Sequence, residues 1–508
     1  MSKKTHKMVS LDAGVVTNIS TRLIDSTKGY TSNLLNVSNT SPGILTKRPA
    51  IKKLYSVAPA AILGVWEYLR AKDDEAVILI AAGGSLYRWD ADTTAWVVVF
   101  APVASTCRFN FLTFADSVII ANEDDPLLLV LMFTDLLQYR FPVVGSAPVG
   151  DSLEHIELLY RFLKPVDAPQ AKYLAEYRLR IAAAGDPDEP SFLYLSHTGD
   201  PTLWNPSTTG SNATRIMVSP DDGEGISGLL NSGDSGLLVG KPSSLYGLFG
   251  YSRDNFAVDR ISTDVGVASH KSMLYVTPYS YWVSKRGIYR MESTTNPDRI
   301  SLAIQDVFDA RTNLARLEES RTVQVDDTLL FTLPTGATAL YTLAYDIPRA
   351  KWLGEWSKPH ILESSPAKSV TGTPIIFSSA TDNKQLYQIA YGDLTELTAA
   401  ITGTLETLWL DADAPEVTKD IGDLYLVFKT GASADYTVLV EFKADDAAWS
   451  TLATETVSTG TLAVNQRVIR VPVGKTVRFF KVRISNAVIG KEFSPMSLYY
   501  TYILKEVL

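Results

Sequence analysis

Apolar and polar residues alternate in short runs along most of this 508-residue chain, and the runs stop at Gly, Pro, Asp, Asn or Lys. Such runs read as strands and their ends as turns. "AVILIAA" meets "GG" and then "SLYRW"; "SGLLVG" meets "KPS" and then "SLYGLFG"; "YSYWVS" meets "KRG" and then "IYRM". Each predicts a hairpin. The strand after the turn repeats a Leu-Tyr or Ile-Tyr pair, at Tyr87, Tyr194, Tyr246, Tyr289, Tyr341 and Tyr387, with spacings of 107, 52, 43, 52 and 46 residues. The first spacing holds a degenerate copy, "FADSVIIANEDDPLLLVLM", with Leu129 near the tyrosine position. Seven units result.

A period in the forties, with strands inside it, is the mark of propeller blades. Upstream strands are visible in "RLRIAAA", "GISGLL", "SMLYV" and "RTVQV", and Trp96 and Trp352 mark a fourth strand in some units. In the recurring pair the apolar residue faces a neighbouring blade. The tyrosine packs on the other face, with its hydroxyl reaching water or a turn. No unit buries both faces alone, so the units must stack. The competing reading is chance recurrence of common strand residues in an all-β protein.

The expected fold is therefore all-β, with a β-propeller over residues 61–395. Seven blades are expected, with six or eight open if a terminal unit is incomplete or closed by the arm. Two segments break the strand pattern. "DSLEHIELLYRFL" sets Leu153, Ile156, Tyr160 and Leu163 at helical spacing between an Asp151 cap and Pro165, which predicts a helical insertion within 143–173. "SLAIQDVFDARTNLARLEE" predicts a more solvated inter-blade helix over 301–320. Residues 396–508 form a separate series of alternating strands that fits a β-sandwich. Residues 1–60 are polar and turn-rich, and read as an extended arm laid over its own propeller or a neighbour.

Composition narrows the function classes. The longest apolar run, "PLLLVLMF", is far short of the roughly 20 residues that span a bilayer, so no membrane span is expected. The basic start "MSKKTHK" leads into too weak an apolar stretch for a secretory signal. A net charge of -9 argues against a protein that holds nucleic acid by neutralising phosphates. The single cysteine, Cys107, excludes an internal disulfide framework and reads as a small buried hydrophobe.

Candidate chemistry is sparse. His6, His155, His197, His270 and His360 make no pair at ligand spacing, and His155 is expected to face solvent. "SPDDGEGI" and "SGDSGLLV" match the front half of a sialidase Asp-box but lack its Thr-Trp, and read as acidic turns. Asp411, Asp413 and Glu416 in "DADAPE", and Asp90 and Asp92 in "WDADTT", offer oxygen ligands without the rest of a calcium loop. No catalytic set, metal or cofactor is expected, and no hydrolase activity.

Three stretches carry a family resemblance. "NLLNVSNTSPGILTKRPA" supplies Asn33, Asn36, Asn39, Gly43, Arg48 and Pro49, with Ala50 where that family often has glycine. "YRLRIAAAGDPDEPSFLYLSHTGDPTLWNP" supplies Arg178, Leu179, Ala184, Gly185, Ser196, Gly199, Asp200, Pro201 and Trp204. The third is "SYWVSKRGIYRM" with the Ser301 segment after it. Together they resemble the tail nozzle and packaged-DNA stabilisation proteins of short-tailed phages. The resemblance runs from Asn33 to Glu319 and rests on turns and strands.

It implies a homo-hexameric nozzle in the virion tail, assembled in the host cytoplasm and docked under an adaptor ring. Tail fibres or a tip attach outside, and viral DNA passes through the centre without tight binding. The expected assembly contacts are Asn33, Asn36, Arg48 and Pro49 of the arm and Leu153, Ile156, Tyr160 and Leu163 of the insertion. A carbohydrate-binding or sialidase-like propeller, with the sandwich as its sugar module, and a generic interaction propeller are the competing readings.

Overall fold

The computed structural model describes residues 5–18, 30–41, 44–69, 76–114, 117–132, 160–163, 165, 167–207, 212–233, 236–293, 296–365, 376–379, 381–390, 393–397, 399–429, 435–458 and 466–505. The chain is an all-β propeller protein built from four-stranded antiparallel blades. Blade one is Ile62–Leu69, Ala76–Ala82, Ser85–Asp90 and Ala95–Phe100; blade two is Asn110–Phe114, Ser117–Ala121, Leu128–Met132 and Tyr160–Leu163. Blade three is Tyr173–Tyr177, Arg180–Ala184, Phe192–Leu195 and Thr214–Met217; blade four is Gly228–Asn231, Leu237–Gly240, Leu245–Phe249 and Ala257–Ser262. Blade five is Leu274–Val276, Tyr279–Ser284, Gly287–Glu292 and Asp298–Arg299. Blade six is Arg321–Val325, Thr328–Thr335, Ala339–Asp346 and Lys351–Trp356. Blade seven is Ile361–Ser364, Ile376–Ser379 and Asp382–Ala390, completed by Ala50–Leu54 from the start of the chain.

The chain divides into two compact units. One is Leu54–Asp298 with Leu362–Leu386, and its core shows how a strand with two buried faces is written. Successive side chains point to opposite faces of a sheet. Leu79 and Ala81 accordingly pack towards blade two while Ile78 and Ile80 pack towards blade seven. Val118 and Ile120 face blade one, and Ile119 and Ala121 face blade three. Ile181 and Ala183 face blade two, and Ala182 and Ala184 face blade four. Both alternating sets are apolar, so these second strands read as continuous hydrophobic runs.

The recurring pair has a fixed orientation. All six tyrosines lie in the third strand of their blades. Leu86, Leu193 and Leu245 face the following blade, whereas Tyr87, Tyr194, Tyr246 and Tyr289 face the preceding one. In the degenerate copy the tyrosine face belongs to Leu128, which packs towards blade one and pairs with Ile120. Leu129 is one residue off and faces blade three. The expected hydroxyl contacts are present at turns: Tyr194 donates to Glu189, and Tyr246 to Asp222 at 3.3 Å.

Tyr289 is 3% exposed and stacks on Trp282, with ring centroids 6.1 Å apart. Tyr289→Ala should cost about 3–5 kcal/mol. Val98→Ser, on the outer strand of blade one where Val98 is 53% exposed, should change stability by less than about 0.5 kcal/mol. Urea melts of both variants check the contrast, and equal midpoints would refute the face assignment.

The other unit is Met1–Lys53, Arg299–Ile361 and Tyr387–Leu508. Here blade six does not end at its own edge. Tyr30–Leu35 runs parallel to Lys351–Trp356 through Leu35 and Glu355, and antiparallel to Gly403–Thr407. The sheet then continues through Phe480–Asn486, Tyr436–Ala444 and Ser450–Val457. A second sheet runs Thr5–Ser10, Pro495–Leu504, Lys419–Lys429 and Gln466–Val477. The strands of the C-terminal sandwich thus share their sheets with residues 5–10 and 30–35.

Three expectations are corrected. Of the first 60 residues, expected as an extended arm over the propeller or a neighbour, Thr5–Ser10, Tyr30–Leu35 and Ala50–Leu54 instead fill places in sheets with strands hundreds of residues away, while Val37–Ser41 and Ile44–Lys47 pair with each other. Within the insertion, Tyr160–Leu163 is the fourth strand of blade two, paired with Leu128–Met132, and not the end of a helix. The open edge of that blade offers main-chain partners that a lone helical turn does not. Leu153, Ile156 and His155 lie outside the described residues.

The third correction concerns Ser301–Glu319, which forms 3-10 turns at Ile300–Ile304 and Leu314–Glu319 around a helix of only seven residues, Gln305–Arg311. Thr312 is extended and Asn313 caps Ala315, as residues that bond their own backbone favour. Ile304, Phe308 and Leu317 from the three pieces are buried, so the segment is less solvated than its sequence implies.

Candidate assembly site

Three of the four expected contact residues in the first fifty positions, Asn36, Arg48 and Pro49, meet at one joint. Asn36 follows the Tyr30–Leu35 strand in a left-handed conformation, φ 55°, which its short polar side chain tolerates. Its amide N–H donates to the Glu355 carbonyl at 2.8 Å, and its Nδ2 to the Thr402 carbonyl at 2.9 Å. Its Oδ1 accepts from Arg48 Nε at 2.9 Å and from the Ser357 N–H at 2.8 Å. One side chain therefore holds blade six, the early strand and the segment leading to the sandwich.

Arg48 completes the joint. It is 1% exposed, pairs through Nη2 with the buried carboxylate of Glu396, and donates from Nη1 to the Pro49 carbonyl at 3.0 Å. Burial pushes its guanidinium below the ordinary arginine range, and Glu396 opposes that shift. Lys358 approaches the other oxygen of Glu396 at 3.4 Å.

The polar groups of Asn36 and Arg48, two of the residues expected at an assembly interface, bond within the chain. Pro49 is half-buried beside them, and Asn33 is exposed, paired across from Glu406. Tyr160 and Leu163 hold the strand places given above.

Gly354 shows how tight the joint is. Its φ is 81°, and an added Cβ would collide with the Leu34 carbonyl. Gly354→Ala should cost about 3 kcal/mol, from left-handed strain and displaced backbone together. A thermal melt checks this, and an unchanged midpoint would mean that the two strands can move apart freely.

The second resembling stretch fixes connections inside blade three. Arg180 is buried and donates through Nη1 to the carbonyls of Ser196 and Asn212, each at 2.8 Å. Ser196 Oγ accepts from Ile181 N at 2.9 Å, and the Gly199 N–H donates to the Leu179 carbonyl at 2.7 Å. Asp200 accepts from the Thr202 N–H and hydroxyl, and Trp204 Nε1 donates to the Pro201 carbonyl at 2.8 Å.

A joint that the sequence reading missed lies at Glu363, in the first strand of blade seven. Its side chain is 2% exposed. It receives Arg108 Nη1 at 2.5 Å, from just before the first strand of blade two. It also receives Lys271, from the turn before the first strand of blade five. Lys271 Nζ donates in addition to the Phe109 carbonyl at 2.8 Å. A lone acid inside "HILES" is the available signal, since a charge in an apolar strand needs partners once buried.

The first partial Asp-box and the two acidic pairs lie in turns, while Asp234 of the second partial Asp-box lies outside the described residues. In the first partial Asp-box, Asp222 is paired with the fully buried Lys241 at 2.6 Å, and Lys241 also donates to the Ser219 carbonyl at 2.8 Å. Asp413 donates its N–H to Asp411 Oδ1, and Asp92 does the same to Asp90. Among the described residues, no group of three or more His, Cys, Asp or Glu is placed to hold a metal. Burial, reinforced by Asp124, pushes the Cys107 thiol up to about 12, so it stays protonated near neutral pH. No helix among the described residues is long and apolar enough to cross a membrane.

No protein-family profile and no curated protein matches the chain. Among solved structures, it is similar to a chain of the mitotic checkpoint complex at 10% identity and a TM-score of 0.42, covering 70% of this chain and 95% of that one. It is also similar to the Cps50 (Swd1) β-propeller domain of Myceliophteria thermophila at 9% identity and a TM-score of 0.41, covering 67% and 99%.

Proposed function

We propose that this chain is a structural subunit of the tail nozzle of a short-tailed phage. Six copies form a ring below an adaptor, which retains packaged DNA and conducts it during ejection. The observation that carries this reading is the use made of the resembling residues. Asn36, Arg48, Ser196, Asp200 and Trp204 all bond within the chain, tying strands and connections together. A tube wall needs such stiffness, because it must keep its bore while a pressurised duplex slides past.

The charge balance supports the same reading. A wall that neutralised many phosphates would hold the duplex and slow its passage, since every ion contact must be exchanged as the DNA moves. A net charge of -9 avoids that brake.

The test is the state of the purified chain. Native mass spectrometry and negative-stain microscopy, with an adaptor ring supplied where needed, should give a six-fold ring. Titration of that ring with duplex DNA at physiological salt should give only weak binding. A monomer that never closes a ring on an adaptor would overturn the proposal, and submicromolar DNA binding would overturn the sliding wall.

A further inference from the structure

The sheet formed by Thr5–Ser10, Pro495–Leu504, Lys419–Lys429 and Gln466–Val477 carries a hollow that no joint described above uses. Its cause is local. The pairing of Lys419–Lys429 with Gln466–Val477 shifts between Ile421 and Asp423, where Gly422 stands near Gly474. Gly474 has φ 60°, and an added Cβ would meet nothing within 4 Å. Two residues without side chains at one irregularity leave a cavity of about 370 Å³, at the small end of ligand sites.

The rim is chemically mixed. Asp420 accepts from the Thr476 hydroxyl and from Lys505 Nζ at 3.1 Å, and Lys505 also donates to Thr476 Oγ1 at 3.2 Å. Asp420 and Lys505 keep 45% and 46% of their side-chain surface open. A carboxylate has about four acceptor positions and an ammonium three donors, so neither is saturated by these bonds. The Thr476 hydroxyl, with Lys505, holds the Asp420 carboxyl below the ordinary range and hence ionised at neutral pH. Ile503, half-buried, adds an apolar surface to the same hollow.

We infer that this hollow binds a pyranose sugar through two adjacent hydroxyls. One hydroxyl donates to the Asp420 carboxylate and its neighbour accepts from the Lys505 ammonium, while the C–H face of the ring lies on Ile503. The rim sets one acceptor-only and one donor-only group side by side, an arrangement that matches a ligand presenting a donor and an acceptor on neighbouring atoms. This inference does not depend on the tail-nozzle reading.

The experiment uses the full chain with the methyl pyranosides of glucose, galactose and mannose. Saturation-transfer NMR detects binding, and the Ile503 methyl signal locates it. At least one sugar should bind and shift that methyl. Asp420→Ala should weaken binding about tenfold, the loss expected for a hydrogen bond to a charged group. Gly474→Asn keeps a residue type that tolerates left-handed backbone, and its side chain should intrude on the hollow and weaken binding. Unchanged melting temperatures exclude misfolding as the cause. Absence of saturation transfer from all three sugars would overturn the proposal, as would binding that both variants leave intact.

Discussion

Glu363→Ala should destabilise the Leu54–Asp298 unit by about 3–5 kcal/mol, the usual result of breaking a buried ion pair from one side. The size follows from what is left behind. Lys271 keeps 20% of its side-chain surface and Arg108 35%, so the lysine loses its counter-charge with less access to water. Coupling is the sharper test. Because Lys271 and Glu363 touch, the double variant Glu363→Ala/Lys271→Ala should lose less than the two single losses added together. Urea unfolding of the four proteins measures this, and strict additivity would refute the joint. Glu363→Leu with Lys271→Met should recover part of the loss, since an apolar pair of similar volume often replaces a buried ion pair at little cost.

The second large loss is expected at Arg48. Arg48→Ala leaves the Glu396 carboxylate buried and removes a donor from Asn36, so about 3–5 kcal/mol should go again. Arg48→Lys should not restore it. The guanidinium reaches Asn36 through Nε, Glu396 through Nη2 and Pro49 through Nη1, three directions that a single ammonium cannot serve together. The readout is hydrogen exchange across Tyr30–Leu35 and Lys351–Trp356, which should accelerate in both variants. Full protection in Arg48→Lys would show that charge alone holds the joint.

The blades were legible because a strand buried on two faces leaves a long apolar run, and the Leu-Tyr pair marks one strand of each blade. The degenerate copy was misplaced by one residue. With Leu at 127, 128 and 129 the sequence holds nothing to tell the faces apart, and a single step reverses the face. Tyr160–Leu163 was misread because its spacing with Leu153 and Ile156 suits a helix, while the free edge it pairs with is a tertiary fact. The joints were least visible. Asn36 and Arg48 stand out only through resemblance, and Glu396 and Glu363 lie 348 and 255 residues from their arginine partners.

The interleaving of strands also fixes an order of manufacture. Thr5–Ser10 has its partner strand in Pro495–Leu504, and Ala50–Leu54 completes a blade whose other strands begin at Ile361. A ribosome adding roughly 5–20 residues per second needs about 25–100 s to reach the first of those partners and about 15–60 s to reach the second. During that time the blades of Leu54–Asp298 can already stack on one another, while Thr5–Ser10 and Ala50–Leu54 wait with unsatisfied backbone. Lys7, Lys52 and Lys53 in those two strands suit the wait, since charge on an unpaired strand discourages pairing with other chains.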